Sequence, residues 1–118
     1  MYEYRATILR HIDADTSWVS VDLGFDCAIK LTVRWARINA PEKNTTDGEA
    51  ALHFVRMMLP EQSRCILRTI KDKREKFGRY LGEFILNDGT NLNEVLLREG
   101  FAEPYFVTKE SETTGEAA

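Results

Sequence analysis

Two alternating runs joined by a short turn constrain this chain more than anything else in it. In residues 17–23, Val19, Val21 and Leu23 alternate with Trp18, Ser20 and Asp22. In residues 29–38, Ile29, Leu31, Val33 and Trp35 alternate with Lys30, Thr32 and Arg34. A period of two puts every apolar side chain of a run on one face, which is the signature of a half-buried strand. Gly24-Phe25-Asp26 has the residue types of a hairpin turn. A strand over residues 4–9 precedes them, so the chain opens with three consecutive antiparallel strands whose apolar side must be covered by other elements.

The rest of the pattern supplies that cover. Thr46-Asp47-Gly48-Glu49 has the spacing of a capping box, with Thr46 as the cap. Ala51, Phe54, Val55, Met58 and Leu59 then form a helical stripe that Pro60 terminates. Residues 65–70 and 80–86 read as two further strands, and Asn87-Asp88-Gly89-Thr90 as a turn. Asn91 caps a second helix with Glu94 at its third position, Leu92, Val95 and Leu96 face inward, and Gly100 closes it. The order βββαββα predicts an α+β fold, mainly β: a five-stranded OB-fold barrel with two to three helices. One domain spans residues 1–107, and residues 108–118 form a polar tail expected to be disordered.

Charge and cysteine usage narrow the function classes. The chain has a net charge of −3, which argues against general nucleic-acid affinity, but residues 108–118 hold three acids against one base. Residues 68–79 hold six basic residues and two acidic ones, a local basic patch on a slightly acidic body. No stretch approaches the roughly 20 apolar residues of a membrane span, and Tyr2-Glu3-Tyr4-Arg5 does not begin an export signal. The expectation is a cytoplasmic monomer without membrane contact. Cys27 and Cys65 lack metal-ligand spacing and read as two reduced, semi-buried thiols. His11 and His53 read as structural, Trp35 as core, Trp18 as surface and Met57-Met58 as core filling.

The residues that carry chemistry lie at strand ends. Asp13-Ala14-Asp15-Thr16 puts carboxylates in the turn after the first strand, and Asn39-Ala40-Pro41-Glu42 puts an amide and a carboxylate after the third. Hard cations such as calcium take carboxylate, amide and carbonyl oxygens. Alone, each piece has an ordinary alternative: an acidic surface turn, a strand ion pair at Arg34, a loop arginine at Arg79. Together, Asp15, Arg34, Glu42 and Arg79 suit phosphodiester hydrolysis. That reaction places charge on nonbridging oxygens, which guanidiniums clamp while a metal polarises the phosphate.

At these residues the chain resembles the staphylococcal nuclease family. Asp13-Ala14-Asp15-Thr16, Arg34 with Ile38-Asn39-Ala40-Pro41-Glu42, Lys76-Phe77-Gly78-Arg79 and Asn93-Glu94-x-x-x-Arg98-Glu99-Gly100-Phe101-Ala102 follow the family's motifs in order and spacing. The resemblance implies calcium held by the Asp15 carboxylate, the Asn39 side chain and the Ala40 carbonyl. It implies Glu42 activating water, Arg34 and Arg79 binding the phosphate, and Lys76 holding a neighbouring phosphate. The substrate would be DNA or RNA, single-stranded or frayed, cut to leave 3′-phosphate ends.

The chain departs from the family pattern at four places. Asn39 replaces a metal carboxylate, which predicts weaker calcium binding. Ala40 replaces a threonine that acts through its backbone. Ala14 replaces a glycine and would be strained if its φ were positive. Phe77 stands for a tyrosine and keeps only a stacking face. Tyr105, beyond the second helix, either stacks on a base or is an ordinary aromatic. The competing reading is a catalytically weak or inactive nucleic-acid- or protein-binding module of the same fold, and a generic OB-fold binder is a third. Arg34, Glu42 and Arg79 favour the enzyme, because a pure binder needs no carboxylate beside two phosphate-clamping arginines.

Overall fold

The computed structural model describes residues 2–74 and 78–105, the side chains of residues 70–74 excepted. In chain order the elements are β1 (Tyr2–Asp13), β2 (Thr16–Gly24), β3 (Cys27–Trp35), β4 (Ile38–Asn39), α1 (Thr46–Met58), β5 (Arg64–Arg74), β6 (Tyr80–Ile85), α2 (Leu92–Arg98) and β7 (Glu103–Pro104). Five strands close a barrel in the order β1-β2-β3-β6-β5, and β4 and β7 form a separate two-stranded ribbon. The expected mainly-β, five-stranded barrel with covering helices is what the chain forms.

Four of the five barrel seams are antiparallel. The fifth joins β3 and β6 in parallel through Val33–Tyr80, Arg34–Leu81 and Trp35–Gly82. A parallel pair requires a long crossover, and α1 with β5 supplies it. Inward residues fill the barrel: Ile8, Val19, Val33, Trp35, Leu67 and Phe84 are all within 1% of complete burial. Trp35 stacks on Phe84 with ring centroids 4.3 Å apart. Burying each such side chain stabilises the fold by about 1.5–3 kcal/mol relative to exposure.

Trp35 also organises a buried polar chain. Its Nε1–H donates to Ser17 Oγ at 2.9 Å, and Ser17 Oγ lies 2.8 Å from His11 Nδ1. His11 Nε2 lies 2.8 Å from the Leu59 carbonyl, which ends α1. One neutral tautomer satisfies the whole chain: Nε2–H donates to Leu59 and the Ser17 hydroxyl donates to Nδ1. Burial lowers the His11 pKa; the Leu59 hydrogen bond and Glu61 oppose that shift, and Arg56 adds to it. His11 is structural, as its surroundings in sequence predict.

Several local expectations are corrected. The cap of α1 is Thr45, not Thr46: its hydroxyl accepts from Gly48 N–H at 3.0 Å and donates to the Glu42 carbonyl at 2.7 Å. The helix begins one residue early because the chain after Pro41 turns tightly. Gly48 then packs so closely that a Cβ there would overlap the Glu42 carbonyl. The inward face of α1 accordingly holds Gly48, Ala51, Leu52 and Val55. Met57 and Met58 are exposed, not core filling, and His53, read as structural, is on the surface.

The third strand stops at Trp35 instead of running to Ile38, because Arg37 takes a left-handed φ of 66°. Leu23 and Ile29 are exposed although they continue the apolar faces of β2 and β3, since this hairpin extends past the core. Cys27 is exposed, whereas Cys65 is buried and its thiol pKa is pushed up to about 12. At α2 the expectations hold. Asn91 caps by accepting from Glu94 N–H, and Gly100 at φ 81° lets Phe101 N–H close on the Leu96 carbonyl at 2.9 Å.

Candidate active site

The turn between β1 and β2 holds Asp15 in a fixed place. Asp13 pairs with Thr16 across the turn, and the Asp15 carbonyl accepts from Trp35 N–H at 2.8 Å. Its side chain, 11% exposed, accepts the Ala40 N–H on Oδ2 at 2.9 Å and the Thr16 hydroxyl on Oδ1 at 3.2 Å. Ala14, just before it, is buried and lies outside the left-handed region, so replacing the glycine brings no backbone strain there.

Arg34 comes to the same point from β3. Between buried Val33 and Trp35, alternation turns its side chain away from the barrel interior. Nη1 lies 3.4 Å from Asp15 Oδ2 and donates to the Trp35 carbonyl at 3.0 Å, and Nη2 donates to Asn39 Oδ1 at 3.3 Å. Tyr105 lies over the guanidinium, with its ring centroid 5.6 Å from the Arg34 central carbon, within cation–π range. The Tyr105 amide donates to the Arg37 carbonyl at 3.0 Å, next to the β4–β7 ribbon that pairs Asn39 with Glu103. The geometry therefore brings together Asp15, Arg34, Asn39, Ala40 and Tyr105, drawn from three distant segments.

The remaining sequence candidates stand differently. Glu42 is exposed just past Pro41, its backbone carbonyl fixed by the Thr45 amide and hydroxyl. Arg79 is partly buried and enters β6 one residue before Tyr80. It thus stands next to the first pairing of the parallel seam, Val33–Tyr80, with Arg34 one residue further along β3. Lys76, Phe77 and the segment 108–118 lie outside the described residues.

Two polar clusters behind the site were not legible as such. Buried Glu83 pairs with Arg37, lies 3.5 Å from Arg68 Nη1 and accepts from Asn91 Nδ2 at 3.4 Å. Asn93, 2% exposed, accepts from Phe84 N–H at 3.0 Å and donates to the carbonyls of Ala36 at 3.0 Å and Gly82 at 3.2 Å. Both hold the Ala36–Arg37 bend from which Asn39 and Tyr105 depart. Asn93 stood within a quoted motif, but only its position behind the bend reveals what it does.

The oxygen donors meet the test for a hard cation in kind. Asp15 offers a carboxylate, Asn39 an amide oxygen, and both touch one guanidinium, so they lie within a few ångströms of a common point. In charge the set is poor. Among the described residues no three His, Cys, Asp or Glu side chains gather, and Arg34 sets its own positive charge against that of any ion. Beside Asn39 and Ala40, an open cleft of about 500 Å³ runs between α1 and residues 99–103, and Asp47, Glu99 and Glu103 line it.

A family model described as staphylococcal nuclease homologue matches residues 32–117, most of the chain but not the turn that carries Asp15. Endonuclease YhcR of Bacillus subtilis (strain 168) is 26% identical, in an alignment covering 89% of this chain and 9% of that protein. Proteins named uncharacterized endonuclease, from Escherichia coli O157:H7 and Escherichia coli, are each 26% identical over 83% of this chain and 59% of their own length. The chain thus spans under two thirds of each of these relatives. Among the described residues no helix is long and apolar enough to cross a membrane.

Proposed function

The chain belongs to the staphylococcal nuclease homologue family, and from that premise we propose that it is a calcium-dependent nuclease cutting DNA or RNA to leave 3′-phosphate ends. The observation that carries this reading is the convergence on Arg34: one guanidinium spans Asp15 from the first turn and Asn39 from β4, with Tyr105 over it. The endonuclease names of the relatives agree with it.

In this scheme Arg34, in the parallel seam, and Arg79, one residue before β6, take nonbridging oxygens of one phosphate. Their fixed positive charges oppose the negative charge that builds there as bonding changes. Glu42 takes a proton from the water that attacks phosphorus, the bond from phosphorus to the 5′-oxygen breaks, and that oxygen takes up a proton. Tyr105 offers a face to the adjacent base, and Lys76 and Phe77 contribute a charge and a stacking surface to the neighbouring nucleotide. Asp15, Asn39 and the Ala40 carbonyl would hold calcium, which when bound supplies a Lewis acid beside the phosphate. The unit doing this is residues 1–107 acting as a monomer.

The test is cleavage of single-stranded nucleic acid with added calcium and with chelator, using Glu42→Ala and Arg79→Ala. Product should form only with calcium, and each variant should lose about 100-fold in rate or more. Normal cleavage by both variants would refute the assigned roles. The weak charge of the donor set favours one alternative, a binding module without turnover. That module would retain nucleic acid in chelator, release it as salt rises and yield no product.

A further inference from the structure

Outside the site, the outer face of β1, β2 and β3 carries an aromatic and several cations that the mechanism above does not use. Trp18 lies on the outward side of β2, between buried Ser17 and Val19. The register sets Arg10 on one side of it and Thr32 on the other. A slip in the β1 register between Ile8 and Arg10 is what brings Arg10 into this row. Two residues beyond Thr32 on the same outward side of β3 is Arg34. About 6–7 Å along the strands, the next outward row runs Arg64, Thr7, Ser20, Lys30. Arg10, Lys30 and Arg64 are exposed, and none forms an ion pair among the described residues.

Three acids near this face have partners of their own: Asp22 accepts from Gly24 N–H at 2.8 Å, Glu3 bridges Arg68 at 3.0 Å, and Glu61 is held by the His11 amide and Arg56. On the far side of Asn39, Asp47, Glu99 and Glu103 line the open cleft and would repel a phosphate chain. An anionic strand anchored at Arg34 therefore meets repulsion on one side, and cations around an aromatic ring on the other.

We propose that the outer face of β1–β3 is a second nucleic-acid subsite, in which Trp18 stacks on a base and Arg10 and Lys30 contact phosphates of a single strand leaving the Arg34–Arg79 site. Continuity with that site argues for this occupant: Thr32, the partner of Trp18, and Arg34 are successive outward residues of β3. A single strand rather than a duplex fits, since only unpaired bases offer a face for stacking. The subsite rests on the nuclease reading and adds to it an affinity that grows with strand length.

The experiment is binding in chelator of a thymidylate dimer and a thymidylate decamer, followed by tryptophan fluorescence. Trp35 is fully buried, so quenching reports Trp18. The wild type should bind the decamer much more tightly than the dimer and be quenched by it. Trp18→Ala should weaken decamer binding by about 10-fold or more, and Trp18→Phe should restore most of it. Arg10→Ala/Lys30→Ala, which leaves the core untouched, should reduce the salt slope of decamer binding by about 1.4.

Wild-type decamer affinity and slope in Trp18→Ala and the double variant would overturn the subsite. If the wild type still cleaves with calcium in that case, the nuclease reading survives without it. Trp18-dependent binding with no cleavage would sustain the subsite and defeat the catalytic reading. A wild type that neither binds nor cleaves would defeat both.

Discussion

Asn39 differs from a carboxylate only by an amide nitrogen in place of one oxygen, yet that exchange decides the charge at the site. Its Oδ1 and Asp15 Oδ2 both face Arg34, so one negative charge stands against one positive charge. Affinity for a hard cation follows the number of charged ligands. Asn39→Asp should therefore tighten calcium binding on the order of 10-fold, equivalent to about 1.4 kcal/mol. A calcium titration finding equal affinity in the variant would show that the amide is no handicap. The substitution is readable in the chain because Asn39 stands between Ile38 and Ala40-Pro41 in an ordered motif. The Arg34 contact that aggravates it is not, since nothing local in sequence says where a guanidinium points.

The bend after β3 depends on a pair of side chains far apart in the chain. Arg37 adopts φ 66°, a region that costs a residue other than glycine about 1–2 kcal/mol, and its guanidinium pairs with buried Glu83. Arg37→Ala keeps the backbone strain and removes the partner, so stability should fall by about 1–2 kcal/mol. That lies below the usual loss for a buried pair because Arg68 and Asn91 still hold Glu83. Arg37→Gly relieves the backbone and should unfold closer to wild type. Urea denaturation of both variants separates the effects, and equal losses would mean that the φ value carries no strain.

Strand and helix types were legible because their periods are local. Val19, Val21 and Val33 alternate as they are buried, and Leu92, Val95 and Leu96 lie inward as spaced. Errors arose where a neighbour distant in sequence decides. The tight Glu42 turn moved the cap to Thr45, and Leu23 and Ile29 alternate correctly but outrun the core.

Across the molecule, the His11–Ser17–Trp35 chain links β1, β2, β3 and the end of α1. A native imidazole held below the unfolded value near 6.5 means that the unfolded chain binds the proton first as pH falls. Stability should be unaffected by His11 above about pH 7. It should fall below pH 6.5, by at most about 1.4 kcal/mol per pH unit, and level off once the native imidazole also protonates. Thermal unfolding across this range checks the sign, and His11→Gln should flatten it. A stability that instead rises on acidification would place a charged imidazole in the core. The barrel itself was foreseeable from strand order, whereas this chain was not, because a lone histidine between Arg10 and Ile12 does not reveal that its partners are a serine and a helix-end carbonyl.

The barrel's parallel seam is only three residue pairs long, against six or more on the seams that flank β1. Arg34 is the middle residue of that seam and Arg79 enters it. Short joints open more often than long ones, by fluctuations that leave the remainder folded. Arg34 thus sits at the barrel joint with the fewest strand pairings among the described residues, and Arg79 at its entrance. What keeps that joint closed is the burial of Val33 and Trp35 on either side of Arg34, so the placement of the guanidinium is only as firm as the core beneath it.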